Sequence, residues 1–464
     1  MGAVTASDIA DARSQMGLTL SFHIIFACFG VALPAVVMIA HYMGLRHGDR
    51  EALLLARRWS KAMAILVAVG AVSGTLLSFE MGLLWPGLMG RFGGAIGIPF
   101  SIEGIFFLLE AVFVAIYMFG WDRLPRWVHF WSLAPVVISG ILGAWSVVAA
   151  NSWMNQPAGF TIRDGHVYQI DPFAVFFNNA SWYEVPHMVL AAYMVTGFVV
   201  ASIYAVGMLR GRRDRYHRLG LLLPFTVGGI CAPLQIGIGD TAARAIAVQQ
   251  PTKFAAMEYV VHTGRHVAEY LGGAMIDGRV SFGLRIPDLD SLLVGFSPNT
   301  RVVGLDSVPA KYRPPFPTLI HLSFDLMVAI GFALLIWSVW LGWAWWRHRE
   351  LPQLRRSTTP FLVGAALSGA AAISAMEAGW VVTEVGRQPW IVYKVELVSQ
   401  AVTSSGGVVF TLIAVLVVYP VLTVATILAL WNMARRWRVE GSVDTDEVPY
   451  GPQTSNKVVV DGLP

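Results

Sequence analysis

Charge is what this sequence is poorest in: Asp, Glu, Lys and Arg make up only 13% of its 464 residues, against 56% hydrophobic ones. A soluble chain cannot clothe itself in water-compatible surface at that ratio, and a mean hydropathy of +0.60 excludes an ordinary globular domain. Cysteine is almost missing too. The two present, Cys28 and Cys231, both sit inside apolar runs, where they read as small hydrophobes. No disulfide framework is available to this chain, and no Cys-x-x-Cys-His exists for thioether attachment of haem. Met1 to Gln15 carries no basic segment ahead of a short apolar core, so no cleaved signal peptide is expected. The absence of an internal repeat weighs against an inverted-repeat transporter.

Long apolar runs are what the chain has in abundance. A helix needs roughly 20 apolar residues to cross the hydrocarbon core, and nine runs qualify. They are 17–42, 62–84, 98–120, 127–150, 185–209, 219–238, 318–343, 361–382 and 408–433. The expected fold is an all-α polytopic membrane protein, with helices one to six in 1–238, a long loop in 239–317, helices seven to nine in 318–434 and a tail in 435–464.

Basic residues in short loops mark the cytoplasmic side, and here they alternate. The loop after span one holds Arg46, Arg50, Arg57, Arg58 and Lys61, and the one after span five holds Arg210, Arg212, Arg213, Arg215 and Arg218. Arg347, Arg349, Arg355 and Arg356 follow span seven, and Arg435, Arg436 and Arg438 follow span nine, whereas Arg91 and Arg163 stand alone in opposite loops. The N-terminus is therefore expected outside and the C-terminus in the cytoplasm. These arginines read as topogenic, not as a nucleic-acid patch. The loop 239–317 then lies outside; its segment Pro251–Gly272 has helical spacing, its remainder reads as irregular, and it is the first place to expect a substrate.

Ionisable groups inside membrane spans are costly and hence functional candidates. His23, Glu80, Glu103, Glu110, His187, Asp325, Glu377 and Glu384 qualify, and most fall toward the outer helix ends under this topology. Glu103 and Glu110 are seven residues apart, about 700° of rotation, so they share one helix face; Glu377 and Glu384 repeat the spacing, with Trp380 on the same stripe. Such acids ligate metal, move protons or pair with a buried base. His23 and His187 are axial-ligand types for haem iron, and Met327 is a possible partner ligand. His262 and His266 offer two zinc donors without a third. A haem-copper oxidase requires more intramembrane histidines than His23, His187 and His321, the ones that this reading places in or beside a span.

The sequence Gly386-Arg387-Gln388-Pro389-Trp390 carries the chain into recognisable territory. With Phe119-Gly120-Trp121-Asp122-Arg123, Asn151-Ser152-Trp153-Met154, Gly239-Asp240 and Lys253-Phe254-Ala255-Ala256-Met257-Glu258, it resembles cytochrome bd oxidase subunit I from about Ile9 to Met433. The resemblance implies a quinol:oxygen oxidoreductase of the bacterial inner membrane. Quinol is oxidised at the outer face, electrons pass a low-spin haem b to a high-spin haem b and a haem d or third haem b, and dioxygen becomes water with protons drawn from the cytoplasm. It implies a subunit II, a small single-span subunit and surrounding lipid as partners.

Residue by residue, the resemblance implies His187 and Met327 as low-spin haem ligands, and His23, Glu103 and Glu384 as ligands or flanking groups of the oxygen-reactive haems. Glu110 matches the acid on the proton supply, Lys253 and Glu258 the quinol-binding pair, and Trp380 and Arg387 residues beside the haems, with Arg387 facing propionates. The chain departs from the pattern in three ways. One residue fewer separates Glu103 from Glu110, the quinol loop is of the short form, and Asp325 replaces an arginine two residues before Met327. An ionised Asp325 near iron is expected to lower the low-spin potential. A quinol-linked b-haem carrier without oxygen chemistry and a membrane transporter are the alternatives.

Overall fold

The computed structural model describes residues 5–348 and 359–439. Arg349, Arg355, Arg356 and the tail beyond Val439 lie outside the described residues. Long apolar helices dominate. The first, α1 (Ala6–His47), starts on a capping box in which Thr5 and Asp8 satisfy each other's backbone N–H, and it ends on Gly48 in the left-handed region. Asp49 caps α2 (Arg50–Leu84) immediately afterwards, so α1 and α2 form an antiparallel pair across a very short turn. Next come α3 (Pro86–Gly120), the short α4 (Arg126–Trp131) and α5 (Ala134–Asn155). A small hairpin of β1 (Thr161–Arg163) and β2 (His166–Tyr168) and the short α6 (Pro172–Phe176) lead into α7 (Ser181–Leu209). Asp214 caps α8 (Arg215–Gln249).

Among the described residues nine helical segments are long and apolar enough to cross a membrane, α4 and α5 counting as one. The nine spans agree with the apolar runs in number and order, but the helices extend beyond those runs; α8 continues to Gln249, past Ile238 where the sixth run ends. Hydropathy marks only the lipid-embedded part of a helix, whereas backbone hydrogen bonding continues into the headgroup zone. Close packing of α7 on α8 depends on Gly197, whose missing Cβ would stand 2.5 Å from the Pro224 carbonyl oxygen. Large aliphatic side chains such as Ile413, Val417 and Val421 point outward on the last helix, as hydrocarbon contact permits.

The loop between the sixth and seventh spans corrects the expectation of helical structure through Gly272. Only α9 (Pro251–Met257) is helical, because Tyr259 takes a positive φ of 55° directly after the C-cap Glu258. An antiparallel hairpin follows, pairing β3 (Glu269–Leu271) with β6 (Leu284–Ile286) and, nearer its tip, β4 (Ala274–Ile276) with β5 (Arg279–Ser281). Its tip is Asp277-Gly278, both at positive φ, the dipeptide that a tight hairpin turn favours. A short helix α10 (Leu289–Gly295) returns the chain to α11 (Pro317–His348), and α12 (Thr359–Gly386) packs beside it. The hairpin β7 (Trp390–Val392) and β8 (Glu396–Leu397), the single turn α13 (Val398–Ala401) and α14 (Val408–Val439) complete the chain.

Candidate functional site

Two cavities open inside the bundle, and they abut. The first has an empty volume of about 1210 Å³ and is lined by His187 from α7, Met327 from α11, Trp380 from α12, Gln235 from α8 and Lys253 from α9. The second, about 1670 Å³, is lined by His23 from α1, Glu103 and Glu110 from α3 and again Trp380. Trp380, Met188 and Val148 line both. His187, Met327 and Lys253 therefore fall in one chamber and His23, Glu103 and Glu110 in the other, with Trp380 as a shared wall, while Glu258, Glu384 and Arg387 line neither.

Each chamber presents one imidazole. In the first, Gln235 Nε2 donates to His187 Nε2 (3.1 Å) while Nδ1 is buried without a partner. Gly379 lies against Met327: a Cβ there would stand 3.0 Å from the sulfur, and one on Gly239 3.3 Å from His187 Cε1. In the second, Ser73 Oγ lies 3.0 Å from His23 Nδ1, and a Cβ on Gly74 would come within 2.9 Å of His23 Cε1. With Nδ1–H given to Ser73 Oγ, His23 keeps Nε2 for a metal, the usual arrangement at metal-bound histidines, whereas His187 frees a nitrogen for ligation only when the Gln235 amide turns away from Nε2. Glu103 and Glu110 both reach the second chamber, as their spacing requires, and a Glu110 oxygen is buried without a partner.

A polar junction adjoins the first chamber. Lys253 is 2% exposed and donates from Nζ to Asn155 Oδ1 (2.8 Å); Asn155 Nδ2 in turn donates to Glu184 Oε1 (3.1 Å). Arg387 Nη2 donates to Glu384 Oε2 (2.6 Å), and Asn151 Nδ2 donates to Glu384 Oε1 (2.6 Å). Burial pulls the Lys253 ammonium down to about 8, against the opposing pull of the Glu184 carboxylate. Arg387 is 3% exposed, with Nε and Nη1 lacking partners. Buried guanidinium N–H groups without acceptors are costly, and they fit the propionate carboxylates of a haem. Arg387 does not itself line the first chamber, but one His and one Met around an apolar cavity give that chamber a donor set that fits haem iron. The second fits haem through His23 and Glu103. Glu384 lines neither chamber, since both its oxygens are turned to Asn151 and Arg387.

Glu258 stands apart from Lys253. It is 4% exposed, one of its oxygens has no partner, and burial, followed by the charges of Asp290, Glu269 and Asp325, pushes its carboxyl well above the usual range. Asp325 accepts from the Gly272 N–H and lies 3.3 Å from His321 Nε2, so it faces the loop between the sixth and seventh spans. Two residues of helix rotate by about 200°, which turns Asp325 away from the chamber that Met327 lines; the expected tuning of the low-spin centre at close range is corrected on that ground. His262 and His266 also fail as a pair. They sit outside any helix, His262 Nδ1 3.4 Å from Asp306 and His266 Nδ1 3.2 Å from Asp288.

The histidine inventory needs correction as well. His41 in α1 and His129 in α4 also lie within spans, and both are wholly buried around Tyr117 and Trp121. Neither lines a chamber, and among the described residues no three His, Cys, Asp or Glu side chains are grouped to hold a metal ion. The sequence reading missed Glu184, although it lies three residues before His187 and so on the same helix face. It also missed Asn155, Gln235 and Ser73, neutral side chains whose roles come from neighbours far along the chain.

Comparison with known proteins bears on the whole chain. A family model described as cytochrome bd terminal oxidase subunit I matches residues 12–437. A protein of Bacillus subtilis (strain 168) with the provisional name cytochrome bd menaquinol oxidase subunit I is 33% identical over 95% of this chain and 99% of its own length. The cytochrome bd ubiquinol oxidase subunit 1 of the same organism is 30% identical over 90% of this chain and 91% of its own. The structure of bd oxidase from Geobacillus thermodenitrificans superposes with a TM-score of 0.86 at 36% identity, covering 92% of this chain and 98% of that one.

Proposed function

Because the chain belongs to the cytochrome bd terminal oxidase subunit I family, we propose that its first chamber holds the low-spin haem b between His187 and Met327, and its second the oxygen-reactive pair. The family makes this a haem-bearing quinol:oxygen oxidoreductase, a multi-pass protein of the bacterial inner membrane that works with a subunit II. The finer reading rests on one observation: two apolar chambers, each with its own imidazole, share Trp380 as a wall. When bound, the haems would supply the one-electron steps and the oxygen chemistry.

The side chains do the rest. Lys253 and Glu258 bind quinol at the outer face, as cation and as proton acceptor. Arg387 neutralises propionates, and its contact with Glu384 fixes the loop after α12 beside Lys253. Glu110, at the inner side of Glu103 on the same face of α3, passes cytoplasmic protons to the oxygen chamber. Glu384 lines neither chamber, and it serves the oxygen site only by giving up one of its two present partners, Asn151 or Arg387. A small single-span subunit and lipid complete the assembly.

The test is a reduced-minus-oxidised spectrum of the purified complex alongside quinol-driven oxygen consumption. Low-spin b bands should vanish in His187→Ala while the high-spin signals persist, and a band in the d-haem region decides between haem d and a third haem b. A colourless wild-type preparation would end the reading.

A further inference from the structure

Lys253 and Glu258 are five residues apart, about 500° along a helix, so they leave α9 on opposite sides. Lys253 reaches the junction with Asn155 and Glu184 beside the first chamber. Glu258 enters a different environment, made of loop and α11. The charges acting on it are Asp290 from α10, Glu269 from β3 and Asp325 from α11, all acidic. On that side the titratable neighbours are His321, wholly buried with Nδ1 2.7 Å from the Met257 carbonyl, and Tyr259, whose ring stacks on His321 at 3.8 Å. Arg244, on the adjoining α8, is committed to Asp240 through two bonds of 2.9 Å.

Asp290 is the decisive member. It is 0% exposed and neither of its carboxylate oxygens has a partner, an arrangement that burial makes costly for an ionised group. Glu258 and Glu269 each add a buried oxygen without a partner, and Glu269 is only half-buried, on the strand that runs toward the exposed hairpin tip. Acids so placed cannot all be ionised together; they hold protons and exchange them. Burial and the Glu269 charge raise Asp290 to about 8, and burial and Asp325 raise Glu269. Groups poised near ambient pH both take up and release protons readily.

We propose that Asp290 and Glu269 form an outward proton relay, receiving from Glu258 the protons of the quinol hydroxyls and releasing them to water at the outer face. The inference rests on the quinol site proposed above. For each electron that quinol gives to the oxidase, one O–H bond of quinol breaks and its proton joins the Glu258 carboxylate. Glu258 is emptied for the second proton by transfer to Asp290 or Glu269, and the product is quinone. The two sides of α9 thus divide the reaction, with the electron leaving beside Lys253 and the proton beside Asp290.

The experiment uses the purified holo-complex with Asp290→Asn, Asp290→Glu, Glu269→Gln and Glu258→Gln. Quinol oxidation is followed across pH in H₂O and D₂O, with oxygen reduction driven by an artificial one-electron donor as the control. Asp290→Asn should lower quinol kcat at least about fivefold with KM little changed, enlarge the deuterium isotope effect, and leave the haem spectrum and donor-driven rate intact. Removing a neighbouring negative charge lowers the pH at which Glu258 ionises, so the acid limb of the residual activity should move to lower pH. Asp290→Glu should restore turnover.

Unchanged kcat and isotope effect in the Asp290→Asn, Glu269→Gln double variant would overturn the relay. So would loss of donor-driven activity in parallel, which marks a structural role. Wild-type turnover abolished by a chelator and restored by calcium would make the cluster a cation site and overturn it likewise. If Glu258→Gln leaves quinol oxidation intact, the quinol site itself is misassigned; if Glu258→Gln is impaired and Asp290→Asn is not, only the relay falls.

Discussion

Gly379→Ala probes the low-spin site without replacing either proposed ligand. An added Cβ would stand 3.0 Å from Met327 Sδ, whereas non-bonded carbon contacts are comfortable at about 3.5–4.0 Å. The sulfur must therefore withdraw by about 0.5–1 Å. It sits at the end of a flexible side chain, so the bundle yields there and the fold survives. Ligation is less forgiving, because productive site geometry tolerates only about 0.5 Å of error. Thioether ligation raises a haem potential, and weakening it therefore lowers the potential. If about 1 kcal/mol of the 1–3 kcal/mol typical of overpacking appears as lost ligation, the midpoint falls by about 40 mV, at ~59 mV per tenfold for one electron.

The assay is a redox titration of the low-spin band, with Gly342→Ala as control, since a Cβ on Gly342, in α11 like Met327, meets nothing within 4 Å. Met327→Leu, which keeps the packing and removes the sulfur, should convert the low-spin signal to high-spin. An unshifted midpoint in Gly379→Ala together with an intact low-spin band in Met327→Leu would refute methionine ligation.

Gly74→Ala places a Cβ 2.9 Å from His23 Cε1; it should perturb the high-spin bands and slow oxygen reduction, while quinol still reduces the low-spin haem in anaerobic stopped flow. Lys253, pulled down to about 8 by burial, is charged below that pH and neutral above it. Quinol kcat/KM should accordingly fall as pH rises through about 8, and Lys253→Arg should carry activity to higher pH; an alkaline limb unchanged in Lys253→Arg would remove the ammonium from quinol binding. For topology, a tag inserted at Asp277-Gly278 should be accessible from outside and one at Arg212-Arg213 only from the cytoplasm, and the opposite labelling in sealed cells would invert the orientation.

Nine spans, their order and the family resemblance were legible in the sequence because each depends on short-range information. A run of apolar residues partitions into hydrocarbon whatever its neighbours, and residues three, four or seven apart share a helix face by backbone geometry alone. That logic put Glu103 and Glu110 on one wall, and it would have given Glu184 beside His187. It failed at the loop between the sixth and seventh spans, where a helical pattern over Pro251–Gly272 gave way to a hairpin after Met257, since tertiary contacts override propensity in short segments. It failed for Asp325, whose side of α11 is set by the rotation that packs Met327 inward. Only the tertiary structure joined Asn151 to Glu384 and Asn155 to Lys253, 233 and 98 residues away. Only packing enclosed Asp290 without a partner. A hydrogen-bond partner or its absence is a property of surfaces brought together by folding, and nothing local to either residue encodes it.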